Sequence, residues 1–319
     1  MTKSVENSLA GEPFSVDPIA CSHSAQILKG YKAPIEEFPW TKLPASSQLA
    51  FKIAFVSVCH SFNWDFLQGR MADELLNAPD EIVERLSGLS AKEFASWLVE
   101  YPKQERVRAR ERTKLLRNVG KVILSEWDGD AKQILDRCGN RLTGDGGFLS
   151  LLDKFDAYSA DPLRKKSQVL AHDLLREGTI DFEDKDKIAP AIDYHIMRSY
   201  LRTGRVVPRN PALNPYLGGR PNPRPRLVKK LRETVADAAE LTAFYAGISV
   251  PDLNYIEWQI GRAVCTADSP SCDQVQLEKL PSDVGRLIEF ACPYSSFCAA
   301  RLIEDYQMYQ EPIFDKGYY

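Results

Sequence analysis

Seven cysteines lie in the 319-residue chain, and four of them, Cys265, Cys272, Cys292 and Cys298, crowd toward its end. No other feature constrains the fold as strongly, because clustered cysteines in a cytosolic chain are more often metal ligands than disulfides. Six residues separate Cys265 from Cys272, and five separate Cys292 from Cys298. Four thiolates can hold a [4Fe–4S] cluster or a tetrahedral zinc ion. The gaps are wider than those of a zinc ribbon, which favours iron–sulfur, with zinc as the alternative. Unrelated thiols, or a pair of disulfides, are the plainer reading of the same residues. Cys21, Cys59 and Cys138 stand apart and read as packed thiols.

Hydrophobic residues make up 44% of the chain and charged residues 27%, so it has ample material for a globular core. No apolar run approaches the roughly 20 residues of a membrane span. The start, Met1 to Ser8, lacks the charged and apolar pattern of a secretory signal. A cytoplasmic protein with no membrane partner is therefore expected. The net charge of −3 also argues against tight duplex binding, which usually needs a basic face.

Periodicity predicts a mainly α fold in four segments. Residues 1–45, with Pro13, Pro18, Pro34 and Pro39, read as an extended segment. Residues 46–160 read as a helical subdomain that opens with an almost wholly apolar element, Leu49 to Val58. It continues through amphipathic stretches at about 70–87, 91–100, 106–127, 130–138 and 147–156. Ser90 and Glu93 fit a capping box. Residues 161–250 form a second helical subdomain, starting at Asp161-Pro162 and interrupted by a proline-rich stretch from Pro208 to Pro225. Residues 251–319 carry a helix, the cysteine loop and a tail.

Three further stretches carry candidate chemistry. In Ile192-Asp193-Tyr194-His195-Ile196-Met197-Arg198, Asp193 is either a helix cap or a carboxylate that stabilises developing positive charge. Lys166, in Lys165-Lys166-Ser167-Gln168-Val169-Leu170-Ala171, is a nucleophile if burial or the charges of Lys165 and Arg164 lower its pKa. Otherwise it belongs to a basic helix start or a phosphate-binding patch. Phe62, Asn63, Trp64 and Asp65 suit a pocket that sandwiches a purine-like base and bonds its polar edge, or a helix end packed in the core. His60 and His195 are lesser candidates for a substrate or phosphate. Arg198, Arg202 and Arg205 recur as a phosphate cradle or a solvated stripe.

The stretch from Trp258 through Gly261, Arg262 and Cys265 to Cys272, followed by Cys292-Pro293 and Cys298, resembles the iron–sulfur loop of endonuclease III-type DNA glycosylases. Here nineteen residues separate Cys272 from Cys292, whereas that family keeps its second and third cysteines close. The Asp193 segment resembles the catalytic aspartate segment of the helix-hairpin-helix glycosylase superfamily. The Lys166 segment resembles the Schiff-base lysine segment of archaeal 8-oxoguanine glycosylases.

A wider resemblance, over roughly residues 50–319, is to the queuosine-nucleotide N-glycosylase (queuosine salvage) family. It rests on Lys166-Ser167-Gln168-Val169-Leu170, Phe182-Glu183-Asp184, Ile192-Asp193-Tyr194-His195, Glu111 to Lys121, Phe62 to Phe66 and the closing Gly317-Tyr318-Tyr319. These resemblances imply a helix-hairpin-helix glycosylase-like fold with a C-terminal iron–sulfur loop. They imply hydrolysis of the base–sugar bond of a modified purine or 7-deazapurine nucleotide, with repair of damaged purines in DNA as the alternative. Asp193 and Lys166 would be catalytic. Phe62, Asn63, Trp64, Asp65, Tyr194, His195 and Arg198 would bind substrate. A non-catalytic nucleic-acid or protein binding module is the third reading. The phosphate-binding hairpin Leu-Pro-Gly-Val-Gly does not precede Asp193, and Gly144 to Gly147 and Gly218-Gly219 fit it poorly, which weighs against duplex DNA.

Overall fold

The apolar run singled out above becomes the helix Ala45–Val58, and every residue from Ser47 to Val58 is buried. A helix apolar on all sides must sit inside other helices, and this one does. The structure is a computed structural model that describes residues 12–35, 38–218, 225–268, 270–307 and 309–312. It is mainly helical, with one two-stranded antiparallel sheet among the described residues. No helix there is long and apolar enough to cross a membrane. The chain divides into two compact units, one running Ile35–Ile188 and one combining Met1–Pro34 with Ala189–Lys316. Gly317 to Tyr319 lie outside the described residues.

In the middle unit the helices Ala109–Glu126, Lys165–Arg176, Ile82–Gly88, Trp64–Leu75 and Lys132–Cys138 pack around Ala45–Val58. Gly120 is the contact point between Ala109–Glu126 and Ile82–Gly88. A Cβ there would lie 2.7 Å from Val83 O and closer still to Ser87 N, so only glycine lets these backbones approach. The one cation in the core helix, Lys52, is 1% exposed and pairs with Asp173 at 2.8 Å and Glu177 at 2.7 Å. Burial alone would lower its pKa, but these carboxylates more than offset that and raise it.

The other unit is built from both ends of the described chain. Strand Phe14–Val16 pairs antiparallel with Val206–Pro208, in the register Ser15 with Val207. Helix Pro18–Ile27 packs on Pro225–Ala246, and Tyr194–Thr203 packs on Val250–Ala263. Arg205 and Glu257 form a bidentate pair sealed from solvent at 0% and 1% side-chain exposure.

Three boundaries differ from the sequence reading. The segment expected to be extended contains the helix Pro18–Ile27, capped by the Asp17 carboxylate, with proline at its first position. The amphipathic stretch at 70–87 is broken at Pro79 into Trp64–Leu75 and Ile82–Gly88, separated by a short 3₁₀ turn. The helix expected from Asp161-Pro162 starts only at Lys165, because Arg164 takes a left-handed conformation with φ 50°. The Ser90 cap forms as expected, its hydroxyl accepting from Glu93 N at 3.1 Å.

Candidate active site and cysteine cavity

In the middle unit, Lys166 stands at the second position of its helix and is 1% exposed. Its Nζ donates to Ser57 O at 2.6 Å and lies 3.3 Å from His60 Nδ1. The other ring nitrogen of His60 is 3.2 Å from Glu111, whose carboxylate also pairs with Arg108 at 2.5 Å. Lys166, His60 and Glu111 thus form a chain that starts in the interior and ends at a partly exposed carboxylate. Burial is the main cause that pushes the Lys166 ammonium down to about 7, and repulsion from Lys165 and Arg112 adds to it. The charge that was expected from Arg164 is spent elsewhere, on an ion pair with Asp153. Burial, with Lys166, Arg112, Lys165 and Arg108 around it, holds His60 neutral far below its ordinary range.

Arg112 fixes this arrangement. It is fully buried and donates to Val58 O, to His60 O at 2.9 Å, to Val107 O at 2.9 Å and to Arg106 O at 3.2 Å. One side chain thereby ties the end of the core helix to the turn before Ala109–Glu126. Burial pushes even this guanidinium down to about 10. Its charge lies 5.0 Å from the Phe62 ring centre, and Phe62 stacks on Tyr101 at 3.9 Å. Phe62 and Trp64 are half-buried, while Asn63 and Asp65 are exposed. Asn63 caps the helix Trp64–Leu75 by accepting from Phe66 N at 3.0 Å, and Trp64 meets Phe55 edge-on at 4.5 Å. The aromatic stretch therefore joins an aromatic wall with Tyr101, a residue that no local pattern marks out. Glu111 and Arg112 were legible only as part of a family-like helix.

In the other unit, Asp193 caps the helix Tyr194–Thr203, with Oδ1 accepting from Ile196 N at 3.0 Å. The residue is 5% exposed, and its second carboxylate oxygen makes no hydrogen bond among the described residues. The capping geometry and a carboxylate oxygen still available for chemistry therefore coexist. Tyr194 lies against His195 with ring centres 4.1 Å apart, and His195 Nδ1 is 3.0 Å from Arg198. Arg198, Arg202 and Arg205 are buried at 2%, 4% and 0% exposure rather than forming a solvated stripe. Arg198 donates to Cys265 O at 2.7 Å and Gly261 O at 2.9 Å, and pairs with Glu311 at 2.6 Å. Arg202 donates to Tyr309 O, Thr266 O and Ala267 O at 2.7–2.9 Å. These guanidiniums hold the cysteine loop on the helix that Asp193 caps.

All four clustered cysteines line one cavity of about 430 Å³, together with Arg202, Tyr294 and Arg301. Cys292 N donates to Cys272 O at 2.9 Å, so the nineteen-residue stretch between them loops out and returns to its starting point. Arg202 approaches Cys265 Sγ at 3.7 Å, and Cys298 Sγ donates to Arg202 O at 3.4 Å. Burial, reinforced by the neighbouring thiols, pushes Cys292 up to about 12. Among the described residues no three His, Cys, Asp or Glu side chains are arranged to hold a single metal ion; the thiols stand around the cavity wall. No protein-family model and no curated protein matches the chain.

Proposed function

We propose that this chain is an N-glycosidase that releases a modified purine or 7-deazapurine base from a nucleotide. The observation that carries the reading is Lys166: an amine 1% exposed, pushed down to about 7 and held beside a neutral histidine. At neutral pH about half of such a group is the free amine, which is the nucleophilic form. Lys52, equally buried, shows the contrasting structural case, because its carboxylate neighbours raise its pKa.

In this mechanism the Lys166 lone pair attacks the anomeric carbon. The C–N bond breaks, and the base leaves with its electron pair and takes up a proton. The nitrogen loses its proton, the sugar ring opens to a Schiff base, and water hydrolyses the imine to regenerate the lysine. His60 orients the amine through its 3.3 Å contact and, being neutral, adds no repulsion. Asp193, in the other unit, is the candidate of an alternative form of the reading in which a carboxylate, rather than the amine, stabilises positive charge on the sugar. The order of a lysine-bearing helix, a link with one short 3₁₀ turn at Lys185–Lys187 and an aspartate-capped helix is compatible with the helix-hairpin-helix reading.

Cys265, Cys272, Cys292 and Cys298 would hold a [4Fe–4S] cluster, which would crosslink the loop. A single zinc ion needs its thiolates gathered within about 2.3 Å of one point, and no such group of three ligands forms among the described residues. The four cysteines on one cavity wall also favour a second reading, excision of damaged purines from DNA.

The test is incubation with a panel of modified purine nucleotides and with lesion-bearing duplex, reading free base by mass spectrometry. Base release that is lost in Lys166→Met, with a borohydride-trapped sugar adduct on Lys166, is the expected result. Release from duplex alone would select the repair reading. Binding without release from any substrate would replace both with a binding module.

A further inference from the structure

On the outer face of Ala109–Glu126 the charges run opposite to what a helix favours. Arg110, Lys114, Arg117 and Lys121 are all exposed, and none has a hydrogen bond or ion pair among the described residues. They follow one another at intervals of four, three and four residues, which places them within about 60° of arc and along about 16 Å of axis. The two acids of the helix are engaged elsewhere, Glu111 with Arg108 and His60, and Glu126 with Lys154. The four cations therefore form an uncompensated row.

Each neighbouring pair in the row repels, because like charges three or four positions apart destabilise a helix. The helix dipole adds to this. Cations are favoured in the last turn, yet the last turn here has no basic residue and Arg110 stands in the first. A chain with a net charge of −3 has no general excess of cations, so this concentration is local. Charge kept where it lowers stability marks a surface that binds something.

The kind of partner follows from what the face lacks. Protein interfaces have an apolar or aromatic centre and are poor in lysine, whereas the one large apolar side chain exposed on this helix is Leu124, at 37%. A helix that lies in a membrane surface turns its apolar side outward, but Leu116, Val119 and Ile123 are buried in the core. A row of cations without an apolar centre suits a chain of regularly spaced phosphates. We propose that Arg110, Lys114, Arg117 and Lys121 dock the phosphodiester backbone of a nucleic-acid strand. Each cation neutralises one phosphate, so the contact positions the strand and reads no base. The turn that carries Arg110 also carries Glu111, the partly exposed end of the chain from Lys166 through His60. A docked strand thus runs beside the open end of that cluster. Docking on this face does not depend on the glycosidase reading.

The experiment mixes the full chain with short labelled strands, single-stranded DNA, single-stranded RNA and DNA duplex, and reads fluorescence anisotropy over a series of salt concentrations. Four phosphate contacts predict that log affinity falls against log salt with a slope of about −3 for a single strand and about −3.6 for duplex. The double variant Lys114→Gln, Arg117→Gln removes the two central cations. It should bind about tenfold or more weakly at low salt, with a single-strand slope of about −1.4. It should also melt at or above the wild type, because the repulsions along the row are relieved. A gain in stability together with a loss of binding is a pairing that a merely structural role does not produce. The control Lys132→Gln, Lys185→Gln alters the net charge equally, on exposed lysines elsewhere in the same unit, and should bind as the wild type does.

Failure of the wild type to bind any strand, a slope near zero, or an equal loss of binding in the control would overturn the docking face. Poly-glutamate bound as tightly as the strands would overturn it in favour of an acidic protein partner. Base release from mononucleotides by a chain that binds no strand would sink this face and leave the glycosidase intact. Strand binding without any base release would do the reverse.

Discussion

Replacing Lys166 with methionine should change how stability depends on pH, in a direction and size that the site dictates. An ordinary lysine titrates at 10.5, and Lys166 in the folded chain at about 7. Between those values the unfolded chain holds a proton that the folded chain has lost, so stability rises with pH across this window. Below about 7 both states are protonated, and the folded state carries the full cost of a buried ammonium. At ~1.4 kcal/mol for each tenfold change in proton affinity, the gap amounts to about 5 kcal/mol. Methionine removes that cost but also loses the hydrogen bond to Ser57 O, worth about 1–3 kcal/mol for a charged donor.

Lys166→Met should therefore be the more stable protein at pH 6, by about 2–4 kcal/mol. By pH 10 the advantage should have disappeared or reversed. Urea unfolding at a series of pH values, followed by tryptophan fluorescence, measures this directly. Four of the five tryptophans, Trp40, Trp64, Trp97 and Trp127, lie in the middle unit, so the signal reports on the unit that holds the lysine. Taking the difference between the two proteins removes the titration of every shared group. A difference that stays flat from pH 6 to 10 would refute the depressed lysine, and with it the nucleophile.

Other substitutions probe the remaining features. Asp193→Asn keeps a capping side chain and should hold stability within about 0.5 kcal/mol of wild type while abolishing base release, whereas Asp193→Ala should cost about 1 kcal/mol as well; unaltered release in Asp193→Asn would leave the aspartate a cap only. Cys292→Ser should remove the brown colour and most of the iron from protein purified without oxygen; an unchanged iron content, measured by plasma emission, would dismiss the cluster. Gly120→Ala forces a Cβ into the backbone of the Ile82–Gly88 helix and should lower stability by about 1–3 kcal/mol in chemical denaturation.

What could be read in the sequence was what neighbouring residues decide. The apolar run to Val58 announced a core helix and Ser90 announced a helix start; the cysteine spacing suggested a metal centre, and the structure brings the four thiols to one cavity. Asp17-Pro18 carried an equally local signal, a cap followed by a proline at the first helical position. It was obscured by other prolines nearby that do mark irregular chain. The start of the Lys165 helix could not be read, because nothing in the residue type of Arg164 signals a left-handed backbone. The cluster itself is a product of packing. Lys166 meets His60 across 106 positions and Arg112 meets Val58 across 54. Periodicity within one helix holds no information about which carbonyl another helix will present. For the same reason Tyr101 emerged only from the folded chain, as did the contacts that Glu111 and Arg112 make with His60.

The pairing of Ser15 with Val207 also sets a timetable. A ribosome adds about 5–20 residues per second, so the first strand leaves the exit tunnel roughly 10–40 s before its partner exists. During that interval the whole of Ile35–Ile188 is available to fold, while the helix Pro18–Ile27 waits with an apolar face and no Pro225–Ala246 to cover it. Synthesis thus imposes an order in which the amine-bearing unit is finished first and the cysteine-bearing unit last. An exposed early segment of this kind is where a nascent chain is most exposed to aggregation. Its brevity, three strand residues and a ten-residue helix, limits how much sticky surface must be left uncovered during the wait.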